Sequence, residues 1–128
     1  MSTLSKLKLS AKENGSAFII LIDPDKKNDD KIIEIVESAN VNDVDAIFVG
    51  GSIMMDSHYH ERIAKIKSVS NIPVILFPGG VNQINKHFDA MLFMSLLSGR
   101  NPHYLLGEQV LAAPIIKDIG IETISTGY

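Results

Sequence analysis

The residue of this sequence that is best placed to bind a metal ion is Asp23, which directly follows the apolar run Ala17–Ile22. A carboxylate at the end of a buried strand is costly to desolvate unless a cation or hydrogen-bond donors accompany it. Mg²⁺ bridged to substrate phosphates would supply that partner, because it binds through one or two carboxylates and several waters. The structural alternative is that Asp23 caps the turn at Pro24 or pairs with Lys26.

Small and basic residues after the later apolar runs could bind phosphates directly. Gly50 and Gly51 could form a backbone nest for an anion, and the Ser52 hydroxyl could bind phosphate or metal. A Gly-Gly pair is also a common turn, and its spacing is that of neither a P-loop nor a dinucleotide fingerprint. Arg100 could meet an anion in a forked contact or remain a solvated surface residue. Gly51, Gly79 and Arg100 are therefore candidate substrate-binding residues.

Other common kinds of active site find no support in the residues present. The chain has no cysteine, so disulfides, zinc-thiolate sites and cysteine nucleophiles are excluded. Neither a serine-histidine-aspartate arrangement nor a G-x-S-x-G elbow occurs, and no catalytic residue is identified. Four histidines lack the spacing of a zinc site and are predicted to be surface or structural residues: His58, His60, His87 and His103.

The candidate residues follow short apolar runs that predict buried β-strands. The predicted strands are Ala17–Ile22, Ala46–Val49, Pro73–Phe77, Ala90–Met94 and a fifth from Glu122 to Tyr128. Strands that are buried on both faces and separated by helices imply a parallel sheet with right-handed crossovers. In such a sheet the ligand site lies at the carboxyl ends of the strands, where the candidate residues fall.

Helical periodicity appears between the predicted strands. The predicted segments are the stripe Ile32, Ile33, Val36 and Ala39 after an N-cap at Asn28, the repeat Ile63, Ile66 and Val69 after Ser57, and a shorter, weaker segment from Val81 to Phe88. Asn101 and Pro102 form an N-cap and N1 pair that opens a longer helix. Gly107 and Pro114 are expected to break this helix in two, and Gly120 to close it.

Two architectures fit this repeat, and periodicity alone does not distinguish them. An open doubly wound sheet of five strands would be complete in 128 residues, whereas a (β/α)₈ barrel needs roughly 250. The barrel predicts sequential strand order and an open edge after the fifth strand. The doubly wound sheet predicts a strand order that reverses.

Composition excludes several classes of partner. The formal charge is −3 and basic residues are scattered singly, so no basic stripe is available for nucleic acid. Apolar residues make up 45% and charged residues 21%, as in soluble globular domains. Residues 1–16 lack the apolar stretch of a signal peptide and no run of about 18 apolar residues occurs, so a cytoplasmic protein is predicted.

Four linked motifs resemble the geranylgeranylglyceryl phosphate synthase family in order, spacing and placement at strand ends. They are residues 21–26 (LIDPDK), 48–52 (FVGGS), 76–79 (LFPG) and 95–102 (SLLSGRNP), and segments 104–109 and 124–128 are also similar. The resemblance covers nearly the whole chain. It implies that residues 1–128 form one domain, the N-terminal half of an α/β TIM (β/α)₈ barrel, incomplete and with strands one to five in sequential order.

The resemblance also implies an activity, the Mg²⁺-dependent transfer of a geranylgeranyl group from geranylgeranyl diphosphate to sn-glycerol 1-phosphate in ether-lipid synthesis. Asp23 and Ser52 match the family's Mg²⁺-binding positions. The metal would hold the diphosphate and neutralise charge as the allylic C–O bond breaks. A homo-oligomer, and peripheral contact with a membrane through the lipid product, are expected as well.

One departure from the family concerns the rest of the site. The family's glycerol-phosphate loops and catalytic glutamate lie in the second half of the barrel, and this sequence ends within strand five. We therefore expect a fragment, or one piece of a split enzyme, that is inactive alone. The rival from another class is a non-catalytic module that binds a phosphorylated ligand on a complete doubly wound sheet. A purely structural module would show no Mg²⁺-dependent stabilisation.

Overall fold

A computed structural model of the chain describes residues 1–51 and 56–128. In these residues the helices and strands are α1 (Thr3–Asn14), β1 (Ile19–Ile22), α2 (Asp29–Val41), β2 (Ala46–Val49), α3 (Tyr59–Val69), β3 (Val74–Leu76), β4 (Ala90–Ser95), α4 (Glu108–Ile119) and β5 (Glu122–Gly127). Short 3₁₀ turns cover Lys26–Asn28 and Val81–Gln83, and a π-helical turn covers His103–Gly107. None of the helices in the described ranges is long and apolar enough to cross a membrane.

The five strands form one parallel sheet in the order β1-β2-β3-β4-β5. This sequential order is the one predicted for the first half of a (β/α)₈ barrel, and the order does not reverse as it would in a doubly wound sheet. All strands run in the same direction, so their carboxyl ends meet at one rim. The loops that contain Asp23, Gly51 and Gly79 leave the sheet at this rim.

The face of the sheet that carries the helices contains the main core. Ile47 and Val49 of β2 and Leu76 of β3 are fully buried in one cluster with Val36 of α2 and Ile63 of α3. Full burial of side chains of this size stabilises the fold by about 1.5–3 kcal/mol each. The central strands are therefore firmly fixed, and with them the positions at which the rim loops begin.

The opposite face of the sheet is only partly covered. Ala46, Ile75 and Ala90 are fully buried there, and Leu7 of α1 packs against this cluster. Leu21 of β1, by contrast, is 60% exposed, and exposure alternates from residue to residue along β5. The prediction that all strands are buried on both faces is thus wrong for β1 and β5. Both are edge strands with a neighbour on one side only.

Helix α1 was not predicted from the sequence, and hydrogen bonds to the sheet hold it at both ends. The N–H groups of Thr3 and Leu4 donate to the carboxylate of Glu122, the first residue of β5, at 2.6 and 3.0 Å. Near the other end of α1, the Ser10 hydroxyl donates to the Asp45 carboxylate just before β2. The helix therefore spans the amino-terminal end of the sheet, opposite the rim.

Two expectations for the helical segments are wrong. Pro114 lies inside α4 and does not divide it, because Pro114 and Val110 four residues earlier are both exposed, where water can bond the carbonyl that lacks a donor. Only the 3₁₀ turn Val81–Gln83 forms in the segment Val81–Phe88. The chain turns there because Asn85 Oδ1 accepts a hydrogen bond from the backbone N–H two residues later.

The predicted helix ends are mostly confirmed. Gly120 follows α4 in the left-handed conformation, with φ of 76°. Asn101 Oδ1 accepts a hydrogen bond of 3.0 Å from the His103 N–H, which is a capping contact. Asn28 precedes α2 as predicted, but its side chain makes no cap and instead donates to the Asp23 carbonyl at 2.9 Å.

Candidate functional site

Three rim loops approach one another closely at Gly51 and Gly79, where an added Cβ atom would meet atoms of the neighbouring loop. A Cβ atom on Gly51 would lie 2.6 Å from Oδ1 of Asp23, so the Asp23 carboxylate sits against the Cα atom of Gly51. A Cβ atom on Gly79 would lie 2.9 Å from the Gly51 carbonyl oxygen. The structure thus brings together three of the residues predicted from the sequence.

The Asp23 carboxylate is exposed and accepts no hydrogen bond from the described residues. The structural roles proposed for it belong to Asp25, whose Oδ1 accepts from the Lys27 N–H at 2.9 Å. Asp25 Oδ2 also lies 3.9 Å from Lys27 Nζ. The turn after β1 is therefore capped without Asp23, which leaves the Asp23 carboxylate available to a ligand.

The predicted metal ligand Ser52 lies outside the described residues, so its distance from Asp23 is not part of the structure. Its neighbour Gly51 is described, and the Gly51 carbonyl belongs to the peptide group that includes the Ser52 nitrogen. The described site thus ends one residue before Ser52.

Gln83 joins the second and third rim loops and was missed by the sequence analysis. Its Nε2 donates to the Gly51 carbonyl at 3.0 Å, and its Oε1 accepts from the Gly79 N–H at 2.6 Å. The backbone carbonyl of Gln83 accepts from the Tyr59 hydroxyl at 3.1 Å. The Gln83 side chain is 7% exposed. Both of its polar atoms are paired, and the Gly79 N–H is used within the protein.

Arg62 of α3 is a second missed residue, and it connects the first and second rim loops. Its guanidinium donates to the Pro24 carbonyl at 2.9 Å and to both oxygens of Asp56 at 3.3 and 3.1 Å. It also makes a two-pronged contact with Asp29. Tyr59, Arg62, Ile63 and Ile66 share one buried helical face, so the position of Arg62 on an apolar stripe was the available signal.

The Arg62 cluster shifts the pKa values of its members in opposite directions. Hydrogen bonds from Arg62 hold the pKa of Asp29 and of Asp56 below the usual aspartate range. The same bonds, with that to Asp29 foremost, raise the pKa of Arg62. All three groups are therefore charged at neutral pH, and the two aspartates are already committed to a cation.

Arg100 lies apart from these residues in the loop after β4. The loop is held by the Tyr128 carbonyl, which accepts hydrogen bonds from the Leu97 and Ser98 N–H groups at 2.8 and 2.9 Å. Arg100 itself is exposed, and in the described ranges it makes no hydrogen bond or ion pair with Asp23 or Gly79. The predicted role of Arg100 in binding an anion stays a prediction.

A largely apolar cavity of about 180 Å³ opens beside the third rim loop. Its wall is formed mainly by residues of β4, the π-helical turn, α4 and the last residue: Met91, Phe93, Tyr104, Gln109, Ala112 and Tyr128. Gly79 belongs both to this wall and to the contact with Gly51. The polar rim and the apolar cavity are thus adjacent.

Three of the four histidines make side-chain contacts that fit structural or surface roles, and His87 bonds through its backbone N–H to Asn85. His60 Nδ1 lies 2.7 Å from Asn85 Nδ2, and His103 Nε2 lies 2.7 Å from Glu108. His58 is exposed and bonds to the neighbouring Ser57 hydroxyl. Across the described part of the chain, no group of three or more histidine, aspartate or glutamate side chains could hold a metal ion. Any metal here would need ligands from a substrate or water in addition to the protein.

Comparison with known proteins gives consistent matches. A sequence profile described as the PcrB family matches residues 9–128. Geranylgeranylglyceryl phosphate synthase of Chitinophaga pinensis is 45% identical over 112 residues, covering 88% of this chain and 44% of the relative. The enzyme of the same name from Flavobacterium johnsoniae is 44% identical and covers 100% of this chain and 53% of the relative.

Solved structures give the same result. The (S)-3-O-geranylgeranylglyceryl phosphate synthase of Thermoplasma acidophilum, in complex with its substrate sn-glycerol-1-phosphate, superposes with a TM-score of 0.89 at 37% identity. It covers 100% of this chain, and the match covers 52% of that chain. The chain therefore spans about half the length of the relatives that it matches.

Proposed function

The chain belongs to the PcrB family, and from this premise we propose that it provides the diphosphate-binding half of a Mg²⁺-dependent prenyltransferase. The whole reaction would transfer a geranylgeranyl group from geranylgeranyl diphosphate to sn-glycerol 1-phosphate. The names of its relatives support this proposal. The observation that carries it is the Asp23 carboxylate, exposed at the rim against Gly51.

Comparison of the aspartates near the rim supports Asp23 as the metal ligand. Asp25 caps a turn, and Asp29 and Asp56 pair with Arg62. Of these four carboxylates, that of Asp23 is the one that accepts no hydrogen bond from the described residues. The Asp30 carboxylate accepts none either, but it lies in the first turn of α2 and not against Gly51. A single carboxylate of this kind fits Mg²⁺, which completes its coordination with waters and substrate phosphates. It does not fit Zn²⁺, which takes three or four protein ligands.

Different residues of the chain would bind the diphosphate and the prenyl tail of the substrate. Asp23, together with Ser52, would hold the ion, and Gly51 leaves the space that the Asp23 carboxylate occupies. When bound, Mg²⁺ would neutralise the negative charge that develops on the diphosphate as it leaves the allylic carbon. The cavity beside Gly79 would bury part of the prenyl tail and exclude water from it.

A thermal-shift titration tests the metal assignment. With Mg²⁺ and pyrophosphate together, the wild-type chain should melt at a higher temperature, because a ligand that binds only the folded state stabilises it. Asp23→Ala should abolish the shift. Asp118→Ala is the matched control, since Asp118 is an exposed aspartate near the end of α4. Equal shifts in wild type and Asp23→Ala would contradict the assignment.

Turnover is expected to need more than these 128 residues. The resemblance assigns the glycerol-phosphate loops and the catalytic glutamate to the part of the relatives that this chain does not match. We therefore propose that the chain alone binds Mg²⁺ and pyrophosphate without forming ether lipid. Product formation by the purified chain from both substrates would contradict this proposal.

Self-association is also part of the proposal. The π-helical turn and α4 expose several large apolar side chains, and apolar surface of this kind marks interaction sites when it is contiguous: Leu105, Leu106, Val110, Leu111 and Ile115. Burial of this surface between copies would form a homo-oligomer. Sedimentation equilibrium measures it directly, and a monomer at all micromolar concentrations would argue against it.

A further inference from the structure

Gln83 connects the two rim loops that follow β2 and β3. Its amide group spans the gap between them, with Nε2 on the Gly51 carbonyl at 3.0 Å and Oε1 on the Gly79 N–H at 2.6 Å. The partners fix the orientation of the amide, because the reverse orientation would place N–H against N–H and oxygen against oxygen. The contact is therefore specific for glutamine, and no other uncharged side chain of this length offers both groups.

The bond to Gly51 acts on the residue that lies against the proposed metal ligand Asp23. A donor held on the Gly51 carbonyl fixes the position of Gly51 itself. The other side of Gly51 faces the Asp23 carboxylate. Gln83 thus holds in place the residue against which the Asp23 carboxylate lies.

Gln83 is itself held rigidly. Its side chain is 7% exposed, and its backbone carbonyl accepts from the Tyr59 hydroxyl, whose residue is 3% exposed. Burial raises the pKa of Tyr59, so the hydroxyl stays protonated and remains a donor at neutral pH. A buried, fully paired amide keeps one geometry, which is what a supporting group needs in order to orient a metal ligand.

We infer that Gln83 is a positioning residue for the metal and diphosphate site, acting through the Gly51 carbonyl. The inference rests on the proposed function, because it concerns the same site. Gln83 touches neither metal nor substrate. Its effect is to keep Gly51 fixed against the Asp23 carboxylate, so that this carboxylate presents one geometry to the ion.

Two substitutions distinguish the hydrogen bond from Gln83 to the Gly51 carbonyl from the hydrogen bond that Gln83 accepts from the Gly79 N–H. Gln83→Met is similar in length and removes both hydrogen bonds. Gln83→Glu keeps an acceptor for the Gly79 N–H but places a carboxylate oxygen against the Gly51 carbonyl oxygen. Asn82→Ala is the control, because Asn82 is exposed in the same 3₁₀ turn. All variants are compared at a temperature where circular dichroism shows them folded.

Two readouts are measured on the whole chain. Isothermal titration gives the affinity for Mg²⁺ with pyrophosphate, and NMR hydrogen exchange gives the protection of the Gly79 amide. In Gln83→Met, the Gly79 amide should lose its protection from exchange. The affinity for Mg²⁺ with pyrophosphate should fall about tenfold, as it does when other supporting partners of metal ligands are removed. Gln83→Glu should lose affinity to at least the same degree and retain protection of Gly79. Asn82→Ala should match the wild type.

The outcomes distinguish failure of this inference from failure of the proposed function. If the wild type binds, Asp23→Ala does not, and Gln83→Met binds as tightly as the wild type, the positioning role is wrong while the metal site stands. If the wild type itself shows no binding, the proposed metal site is wrong and the role of Gln83 falls with it. Faster exchange in Gln83→Met without weaker binding would make Gln83 a structural contact only and overturn the inference.

Discussion

Arg62 donates a hydrogen bond of 2.9 Å to the carbonyl oxygen of Pro24, the residue that follows Asp23 in the chain. Pro24 is buried, so this carbonyl has little access to water. The same guanidinium binds Asp56, four residues beyond Ser52. Arg62 therefore joins two loops. It holds the loop after β1 next to Asp23, and it holds the loop after β2 at Asp56, while the start of that second loop meets Asp23 at Gly51.

Replacement of Arg62 should destabilise the fold in a way that depends on pH. Arg62→Met leaves the buried Pro24 carbonyl without its donor, which costs about 1–3 kcal/mol at pH 7. The pKa values of Asp29 and Asp56 are lowered in the folded state, so their pairing with Arg62 stabilises the fold above the ordinary aspartate pKa. That contribution is lost as pH falls through the lowered pKa values, so the penalty of Arg62→Met should shrink below about pH 4.

Urea unfolding at pH 7, 5 and 3 measures this dependence. Lys117→Met is the control, because Lys117 is an exposed cation on α4, away from the Arg62 cluster, and forms no ion pair in the described ranges. Its effect should stay within about 0.5 kcal/mol. A penalty for Arg62→Met that is constant across these pH values would show that the carboxylates contribute nothing.

Gly51→Ala should weaken metal binding with little change in stability. The new methyl group would lie 2.6 Å from Asp23 Oδ1, and the exposed carboxylate can swing away at small cost. Displacing a metal ligand in this way should reduce the affinity for Mg²⁺ with pyrophosphate about tenfold. Isothermal titration measures it. Gly107→Ala is the control, because the backbone at Gly107 is already helical and accepts alanine. Unchanged binding by Gly51→Ala would contradict the role of Asp23 as a metal ligand.

Ala112→Phe should separate binding of the prenyl tail from binding of the diphosphate. Ala112 is buried in the wall of the 180 Å³ cavity, and a phenyl ring would fill much of that space. The affinity for geranyl diphosphate with Mg²⁺ should fall about tenfold or more, because the tail loses its apolar surroundings. The affinity for pyrophosphate should not change. Ala113→Phe, at the exposed neighbouring position, should leave both affinities unchanged.

Glu122→Gln should loosen α1 at neutral pH. Burial acts to raise the pKa of Glu122, but hydrogen bonds from the Leu4 and Thr3 N–H groups outweigh it and hold the pKa below the usual range. The ionised carboxylate at the start of a helix contributes about 1 kcal/mol, which Glu122→Gln would remove at pH 7. The difference from wild type should vanish as pH falls through the lowered pKa. Chemical unfolding measures it, with the exposed Glu37→Gln as control, and an unchanged stability would contradict the role of Glu122.

The strands could be predicted because burial on the central strands leaves a continuous apolar pattern, whereas their sequential order followed from the family resemblance and not from this pattern. Ile47, Val49, Val74 and Leu76 are fully buried, and runs of such residues between glycine-rich turns have few other structural solutions. The same logic placed Asp23 at a strand end. Pairing of Asp23 with Gly51 follows from the parallel sheet, because consecutive strand ends are neighbours at the rim.

The missed features depend on contacts between residues that are distant in sequence. Helix α1 has few apolar residues, and its position depends on Glu122 and Asp45, which no local pattern reveals. Gln83 is a single polar residue in a turn, and only its tertiary partners distinguish it from a solvated one. Local sequence encodes propensity and burial, whereas the partner of a buried polar group is set by the fold as a whole.

The attachment of α1 to β5 has a consequence for the order of assembly. Thr3 and Glu122 are 119 positions apart, so the contact that holds the start of α1 forms only after β5 has been synthesised. Closing so long a loop early would be entropically unfavourable. The chain should therefore assemble outward from β2 and β3, and the start of α1 should settle only after β5 has paired with β4.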